Sequence, residues 1–520
     1  MCGINAIIVA DNSQASSAYF EAYRTLAEST RHRGLPDYFN EHSILDNAIL
    51  GANRLPITSN DKEQQPAYNE QRNIAAILNG EIYNYRELRR DLQARGHSFR
   101  GEDDTEVLVH GYEEWRRGLL DRIEGKFAFI VWDDLKKDYL IGRDPFGVKP
   151  LYYCNVNGTL YVSSEIKGLA QLDIGEIKDL KPGHYLTSNG EKRYFSLKES
   201  DVPEDVDTIK SDLRMLIDNA VRKRVDTNLP ISVFFSGGID SATVLSTALK
   251  YHSNVTAITF GLNGSSDRMT AERFCKEYSV PLLIAEPVDI EPIAPKLVEI
   301  AETFELDYLR HIVGNYTVSK VARENGFRIA LVGEASDELF GGYAIFKEVD
   351  NSLVNRICRM LVEDLHRTEL QRVDRGAMHW TIEARVPFLD VKLVEYALGI
   401  PNQYKIYNDN GTLVDKWILR KAMTDRLPEY ITNRTKEHFC AGGGLDVDNP
   451  NGIFGRIAEE TVSDDELKDY QRKFPEFELR HKEDVMNFRT FHVLGYTKAK
   501  FTRNRIKSSR EETHKRILNG

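Results

Sequence analysis

Residues 231–249 read ISVFFSGGIDSATVLSTAL. A short apolar run, Ile231–Phe235, breaks at Ser236, Gly237, Gly238, Ile239, Asp240 and Ser241, and a helix-forming stretch follows. The pattern predicts strand, loop and helix. Two glycines let backbone approach a phosphate, and successive N–H groups with the helix N-terminus supply the positive field an anion needs. It is no Walker loop, because no lysine follows the glycines. An ordinary tight turn also uses paired glycines. It has no use, however, for the hydroxyls of Ser236 and Ser241, which donate to phosphate oxygens, or for Asp240, a carboxylate suited to Mg2+. VTAITF (255–260) and RIALVG (328–333) repeat the alternation, which predicts a parallel α/β sheet.

Next to this sheet, LVGEASDELFGGY (331–343) ends a strand in a loop carrying Glu334, Asp337 and Glu338. Acidic groups at the carboxyl ends of such strands sit where α/β sheets bind ligands. They would also suit a surface loop, but their apolar flanks predict a metal or cation as partner for at least one of them. Asp240 and Asp337 are the candidate metal ligands. Lys436, in NRTKEHF (433–439), is a cation suited to transferred phosphates. The strand-SGGIDS-helix arrangement resembles the pyrophosphate loop of the ATP pyrophosphatases, which adenylate a carboxylate or carbonyl.

Upstream, the acidic, aperiodic LKESDVPEDVD (197–207) reads as a linker, dividing the chain into 1–200 and 201–508, with a basic tail at 509–520 expected to be disordered. Before the linker come short strands: NAIIVA, NAILGANRLPI, IAAILNGEIYN, KFAFIVWD, DYLIGRD, LYYCNV and TLYVSSE. Helical stretches lie near 15–31, 84–95 and 104–117, with Asp104 placed to cap the third. This mixture predicts an α+β layered sandwich. At 520 residues, 41% hydrophobic and 29% charged, the chain is an ordinary globular one of two or three domains. Its net charge of −11 disfavours nucleic-acid binding. The sequence contains no membrane-length apolar run and no signal peptide pattern, so a cytoplasmic location is expected. The five cysteines are widely spaced and form no C-x-x-C, which argues against disulfides and a zinc–thiolate site.

One cysteine stands apart. The chain begins MCGI, and removal of Met1 would leave Cys2 with a free α-amine able to act as base for its own thiol. Chance alone also places cysteine second in some chains.

Taken together, MCGI, NGEIYNYRELR, DDTEVL, GKFAF, RDPFGVKPLYY, SSEIKGL, FSGGIDSA, GEASDELFGGY, EARVPFLD and KWILRKA closely resemble the glutamine-hydrolysing asparagine synthetases, in order and across nearly the whole chain. The resemblance implies an N-terminal-nucleophile hydrolase sandwich followed by a pyrophosphate-loop synthetase unit. It implies that Cys2 attacks glutamine, that Asn79 and Gly80 form the oxyanion hole, and that Arg54 clamps the α-carboxylate. Leu55, Pro56, Ile57 and Thr58 continue that pocket wall, and Glu81 and Asp104 receive the α-ammonium. In the synthetase unit it implies ATP at Phe234, Ser236, Gly237, Gly238, Ile239, Asp240, Ser241, Phe260, Val332 and Gly333, the two phenylalanines packing on adenine. Glu334 would serve the acyl-adenylate step, Lys436 the leaving pyrophosphate and Arg310 the acceptor. Mg2+ as cofactor, aspartate as acceptor, an internal ammonia tunnel and a homodimer belong to the same expectation.

The chain departs from the family pattern in several places. Leu35 is inserted in HRGLPD, Asn53 and Pro56 alter GANRLPI, and Ala335 replaces a usual glycine. Around the acceptor site the sequence is Asp307, Tyr308, Leu309, Arg310 in place of T-T-x-R, so Asp307 either pairs with Arg310 or adds negative charge beside an anionic substrate, or else is a helix-capping or surface aspartate. An amide ligase acting on a different carboxylate is the alternative function.

Overall fold

The computed structural model describes residues 2–9, 17–57, 64–435, 439–447, 449 and 451–499. The expected basic tail at 509–520 lies outside them, as do Thr58 and Lys436. Twelve strands form two antiparallel sheets. They are β1 (Cys2–Val9), β2 (Glu41–Ile44), β3 (Ala48–Arg54), β4 (Ala67–Tyr68), β5 (Ile74–Ile82), β6 (Gly125–Asp133), β7 (Asp138–Arg143), β8 (Tyr152–Val156), β9 (Thr159–Ser163), β10 (Lys178–Asp179), β11 (His184–Thr187) and β12 (Gly190–Arg193). The sheet orders are β10-β8-β9-β1-β3-β2 and β12-β11-β7-β6-β5-β4.

Strand alternation sorts the side chains into layers. Ile4, Ala6 and Ile8 of β1 meet Leu50, Ile77, Ala128, Ile130 and Trp132 between the sheets. Ile7 and Val9 point the other way, onto Tyr23, Leu26 and Ala27 of α1 (Ser17–Ser29). On the far side, Ala76 and Leu78 pack with Leu88 and Leu92 of α2 (Tyr85–Ala94) and with Val107 and Leu108 of α3 (Glu106–Trp115). The outcome is helix, sheet, sheet, helix, the four-layer sandwich. The cap of α3 differs from expectation: Asp103 Oδ1 accepts from the N–H groups of Thr105 and Glu106, whereas Asp104 accepts from Ile82 N–H at 2.8 Å. Asp103 can reach two turn amides because it lies one residue farther back, which frees Asp104 to face β5.

Residues 194–205 carry neither helix nor strand. After α4 (Ile166–Leu172) and this connection comes α5 (Val206–Arg224), capped by Asp205 on Thr208 N–H. A parallel sheet then runs β15-β14-β13-β16-β17, comprising β13 (Ile231–Phe234), β14 (Val255–Phe260), β15 (Leu282–Ala285), β16 (Ile329–Leu331) and β17 (Glu383–Arg385). Chain order reverses at β13, so the loops after β13 and β16 border the crevice where such sheets bind ligands. The former leads into α6 (Ile239–Tyr251) and the latter into the short α10 (Ser336–Phe340), with α7 (Ser266–Glu277), α8 (Ala294–Ala301) and α9 (Leu306–Glu324) between them in the chain. The two units share one apolar cluster, and Leu55 and Ile57 of the first pack on Ile329 and Met378 of the second.

Candidate active sites

Cys2 opens β1 directly across from Arg54, because the β1–β3 register pairs the two residues. The thiol is buried, 2% exposed. Burial pushes its pKa up, and the Leu55 backbone N–H pulls it down. Cys2 N–H donates to Asn79 Oδ1 at 3.3 Å, while Asn79 Nδ2 is buried without a hydrogen-bond partner. A donor left in this condition costs about 1–3 kcal/mol, unless a ligand oxygen completes it. Gly80 stands at φ 143°, and a Cβ there would lie 2.0 Å from the Lys126 carbonyl, so only glycine fits. Gln65 closes the site, its Nε2 3.8 Å from Cys2 Sγ and 3.1 Å from Thr105 Oγ1.

Arg54 is buried, stacked over Tyr38 and paired with Glu41 through Nε at 3.0 Å. Glu81 turns one oxygen to Arg385 of β17, while its Oε2 has no hydrogen-bond partner and lies 3.8 Å from Lys126 Nζ. Burial raises the Glu81 carboxyl to about 7 against the pull of Arg385. Lys126, lowered to about 7 by burial, bonds Glu383 at 2.6 Å. A second charge set adjoins. Arg33 donates to the Cys2 carbonyl at 3.3 Å, to Glu165 at 2.7 Å and to Asp374 at 2.8 and 3.0 Å. Asp374 and Arg375 belong to α12 (Glu369–Met378), which follows α11 (Val354–Asp364), so the Cys2 backbone is anchored to the second unit.

The unfamiliar loop residues prove structural. Asn53 Nδ2 ties α1 down through the Ala27 carbonyl at 2.7 Å. Leu35 N–H donates to the Arg54 carbonyl at 3.0 Å, and Pro56 offers its carbonyl to Arg328 of the second unit at 3.1 Å.

At the parallel sheet, the 236–241 loop folds on itself: Ser241 Oγ lies 3.2 Å from Ser236 Oγ and accepts from Ser236 N–H. Gly237 takes φ 72°. A Cβ on Gly333 would lie 3.0 Å from Ser241 N, so this glycine lets the loops after β13 and β16 touch. Asp240 and Asp337 meet on a single cation, Lys416 Nζ, at 2.6 Å each, and Ser336 Oγ donates to Asp240 at 2.6 Å. This hard-oxygen pair suits a divalent cation beside phosphates. Glu334 is half-buried and acts with Glu369 on the Arg372 guanidinium against the cost of its burial. Val332 N–H donates to the Arg385 carbonyl at 3.0 Å, tying the loop after β16 to the strand that carries Glu81's partner.

Three of the expected residues have further partners or settings. Phe260 at the C-terminal end of β14 is fully buried, its ring packed against Gly443. Arg310 is clamped by Glu483, Nε to Oε1 at 3.0 Å and Nη2 to Oε2 at 2.6 Å. Asp307 is exposed in the first turn of α9, the surface position that was one of its expected readings. Arg33, Gln65, Lys416 and Glu483 were not singled out from sequence. HRGLPD, KWILRKA and the QQP preceding β4 contained three of them, but nothing local marked Glu483.

Among the described residues, no helix is long and apolar enough to cross a membrane. Residues 1–200 match the glutamine amidotransferase domain family, and residues 212–357 and 349–492 match the asparagine synthase family. A glutamine-hydrolysing asparagine synthetase of Arabidopsis thaliana is 32% identical over 471 residues, covering 85% of this chain and 79% of the relative. Relatives of the same name from Oryza sativa and Zea mays are 31% and 32% identical, covering 92% and 91% of this chain and 82% and 83% of theirs. A solved glutamine PRPP amidotransferase of B. subtilis aligns with TM-score 0.30 and 16% identity over 55% of this chain and 66% of that one.

Proposed function

We propose a division of labour for a chain that belongs to the family of glutamine-hydrolysing asparagine synthetases. The overall activity is ATP-dependent amidation of aspartate with glutamine as nitrogen donor. Glutamine is hydrolysed between the antiparallel sheets, and ammonia is fixed at the crevice of the parallel sheet, the units dividing near residue 200. Cys2 Sγ attacks the amide carbon of glutamine. The Cys2 α-amine, free once Met1 is removed, takes the thiol proton and passes it to the departing nitrogen, leaving a thioester that water hydrolyses to glutamate. Asn79 Nδ2 and the Gly80 N–H receive the oxyanion. Arg54 takes the α-carboxylate in place of a Glu41 oxygen, along the wall Leu55 to Thr58. Glu81 Oε2 and Asp104 receive the α-ammonium. The orphaned Nδ2 of Asn79, buried beside Cys2, is the observation that supports this reading most directly.

In the second unit, Ser236 to Ser241 and the N-terminus of α6 hold the ATP phosphates, with Phe234, Phe260, Val332 and Gly333 along the nucleoside. Asp240 and Asp337 would hold Mg2+, which supplies charge neutralisation to the phosphates. Glu334 takes the proton from incoming ammonium, Lys436 faces the leaving pyrophosphate and Arg310 faces the aspartate.

Two measurements test this. Pyrophosphate release with MgATP and ammonia across a panel of carboxylic acids is expected to respond most strongly to L-aspartate; a stronger response to another acid overturns the acceptor assignment. Cys2→Ala is expected to abolish glutamine-dependent turnover and spare the ammonia-dependent reaction. Retained glutamine use would rule Cys2 out as nucleophile.

A further inference from the structure

In the N-terminal unit, four side chains that the proposed mechanism does not use converge. Glu70 follows β4, His97 lies in the turn after α2, and His110 and Glu113 sit one turn apart on α3. One ligand-capable atom from each lies within 4.8 Å of all the others. His110 Nδ1 is 3.6 Å from Glu70 and 3.8 Å from Glu113, and His97 Nδ1 is 3.8 Å from each carboxylate. These separations are longer than a direct hydrogen bond. Each is a few tenths of an ångström beyond the edge, about 3.4 Å, of a tetrahedron with zinc bonds of about 2.0–2.1 Å, the two Glu70 separations running to its two different oxygens.

Two further observations point to an ion. His110 is completely buried, and neither of its ring nitrogens has a hydrogen-bond partner. A buried imidazole left in that state is costly, and a metal on Nδ1 would remove the deficit. The outer partners are also in place. His97 Nε2 lies 3.1 Å from Glu114, and His110 Nε2 faces Glu106 at 3.6 Å, so each imidazole has a carboxylate behind it, as metal-bound histidines commonly do. Asn69 Nδ2 orients Glu113 at 3.0 Å, and Ser98 N–H holds Glu70 at 2.7 Å.

We propose that Glu70, His97, His110 and Glu113 form a structural site for a divalent transition ion of the zinc class. Two neutral imidazoles and two carboxylates favour such an ion over Mg2+, which prefers oxygen and keeps its water. All four positions are filled by protein, the mark of a structural site. The ion joins the turn at His97 to α3, whose preceding residues Asp103 to Thr105 face Ile82 and Gln65 of the proposed glutamine pocket. It therefore fixes one wall of that pocket.

The full chain, stripped with a chelator, is titrated with Zn2+ against a chromophoric competitor, and separately with Mg2+. One tight equivalent of Zn2+ per chain is expected, with no comparable Mg2+ binding. His97→Gln, at a half-buried position that tolerates substitution, is expected to lose that equivalent, while Glu114→Gln weakens it about 10–100-fold. Zn2+ should raise the melting temperature of the parent and leave that of His97→Gln unchanged. Ammonia-dependent pyrophosphate release, equal in parent and variant, certifies the fold. Failure of the parent to hold one equivalent, unchanged affinity in His97→Gln, or equal binding of Mg2+ would overturn the site. These readouts are independent of the roles proposed for Cys2 and Asn79, so either proposal can fail alone.

Discussion

Ala335 stands at φ 76°, ψ −11°, the left-handed region, immediately before α10. An L-residue there costs roughly 1–2 kcal/mol through its Cβ. Glycine would relieve that while adding about 0.5–1 kcal/mol of backbone entropy to the unfolded chain. Ala335→Gly is therefore expected to stabilise the chain by about 0.5–1 kcal/mol, read as a higher urea midpoint at unchanged slope. At the proposed oxyanion hole, Asn79→Ala removes the unpartnered donor. Glutaminase kcat should fall about 10²–10³-fold with little change in ammonia-dependent synthesis. Cys2, Asn79, Gly80 and the SGGIDS loop were legible as candidates because each belongs to a contiguous motif. Arg33, Lys416 and Glu483 were not, because their partners Asp374, Asp337 and Arg310 lie far away in sequence, and only the folded chain brings them together.

Among the elements, the long central strands were readable because they are buried on both faces for seven to nine residues and carry short apolar runs such as NAII, AILGA and IAAIL. The edge strands β15 and β17, with four and three residues, are too short to show a period, and the sequence predicted neither. Yet β17 supplies Arg385 and Glu383 to the charge set around Glu81. The C-terminal end of α12 is equally informative. His379 follows it, stacked on Tyr316, and burial together with His32, Lys167 and Lys296 lowers its pKa to about 3. The unfolded chain thus binds a proton near pH 6.5 that the folded chain refuses until about pH 3. Stability owed to this residue is complete above pH 6.5 and declines below it, by about 2 kcal/mol at pH 5. His379→Gln is expected to flatten the fall in urea midpoint between pH 7 and pH 5; an unchanged slope would contradict the assignment.

At the scale of the molecule, the two units are joined by a buried ionic seam as well as by the shared apolar cluster. Arg33, Lys149 and Arg375 surround Asp374, which they hold down at about 2, the burial of the carboxylate notwithstanding. A depressed carboxyl contributes stability that is present above its unfolded pKa, near 4, and lost as pH falls toward 2. Asp374→Asn leaves those cations buried with fewer counter-charges and should cost about 3–5 kcal/mol at pH 7, a penalty that shrinks in acid. The seam was invisible in the sequence, which placed a linker at 197–207 but said nothing of how the units meet.

Strand β17 gives this seam an evolutionary corollary. Its three residues close the sheet of one unit while neutralising a carboxylate in the other, so the counter-charges of Glu81 and of Arg33 are inherited on opposite sides of the linker. A hybrid made by splicing residues 1–200 onto the latter half of a distant relative would keep the first member of each pair and gamble on the second. Descendants of such a recombination survive only if both halves of the charge set travel together, which makes this two-part enzyme a single heritable unit.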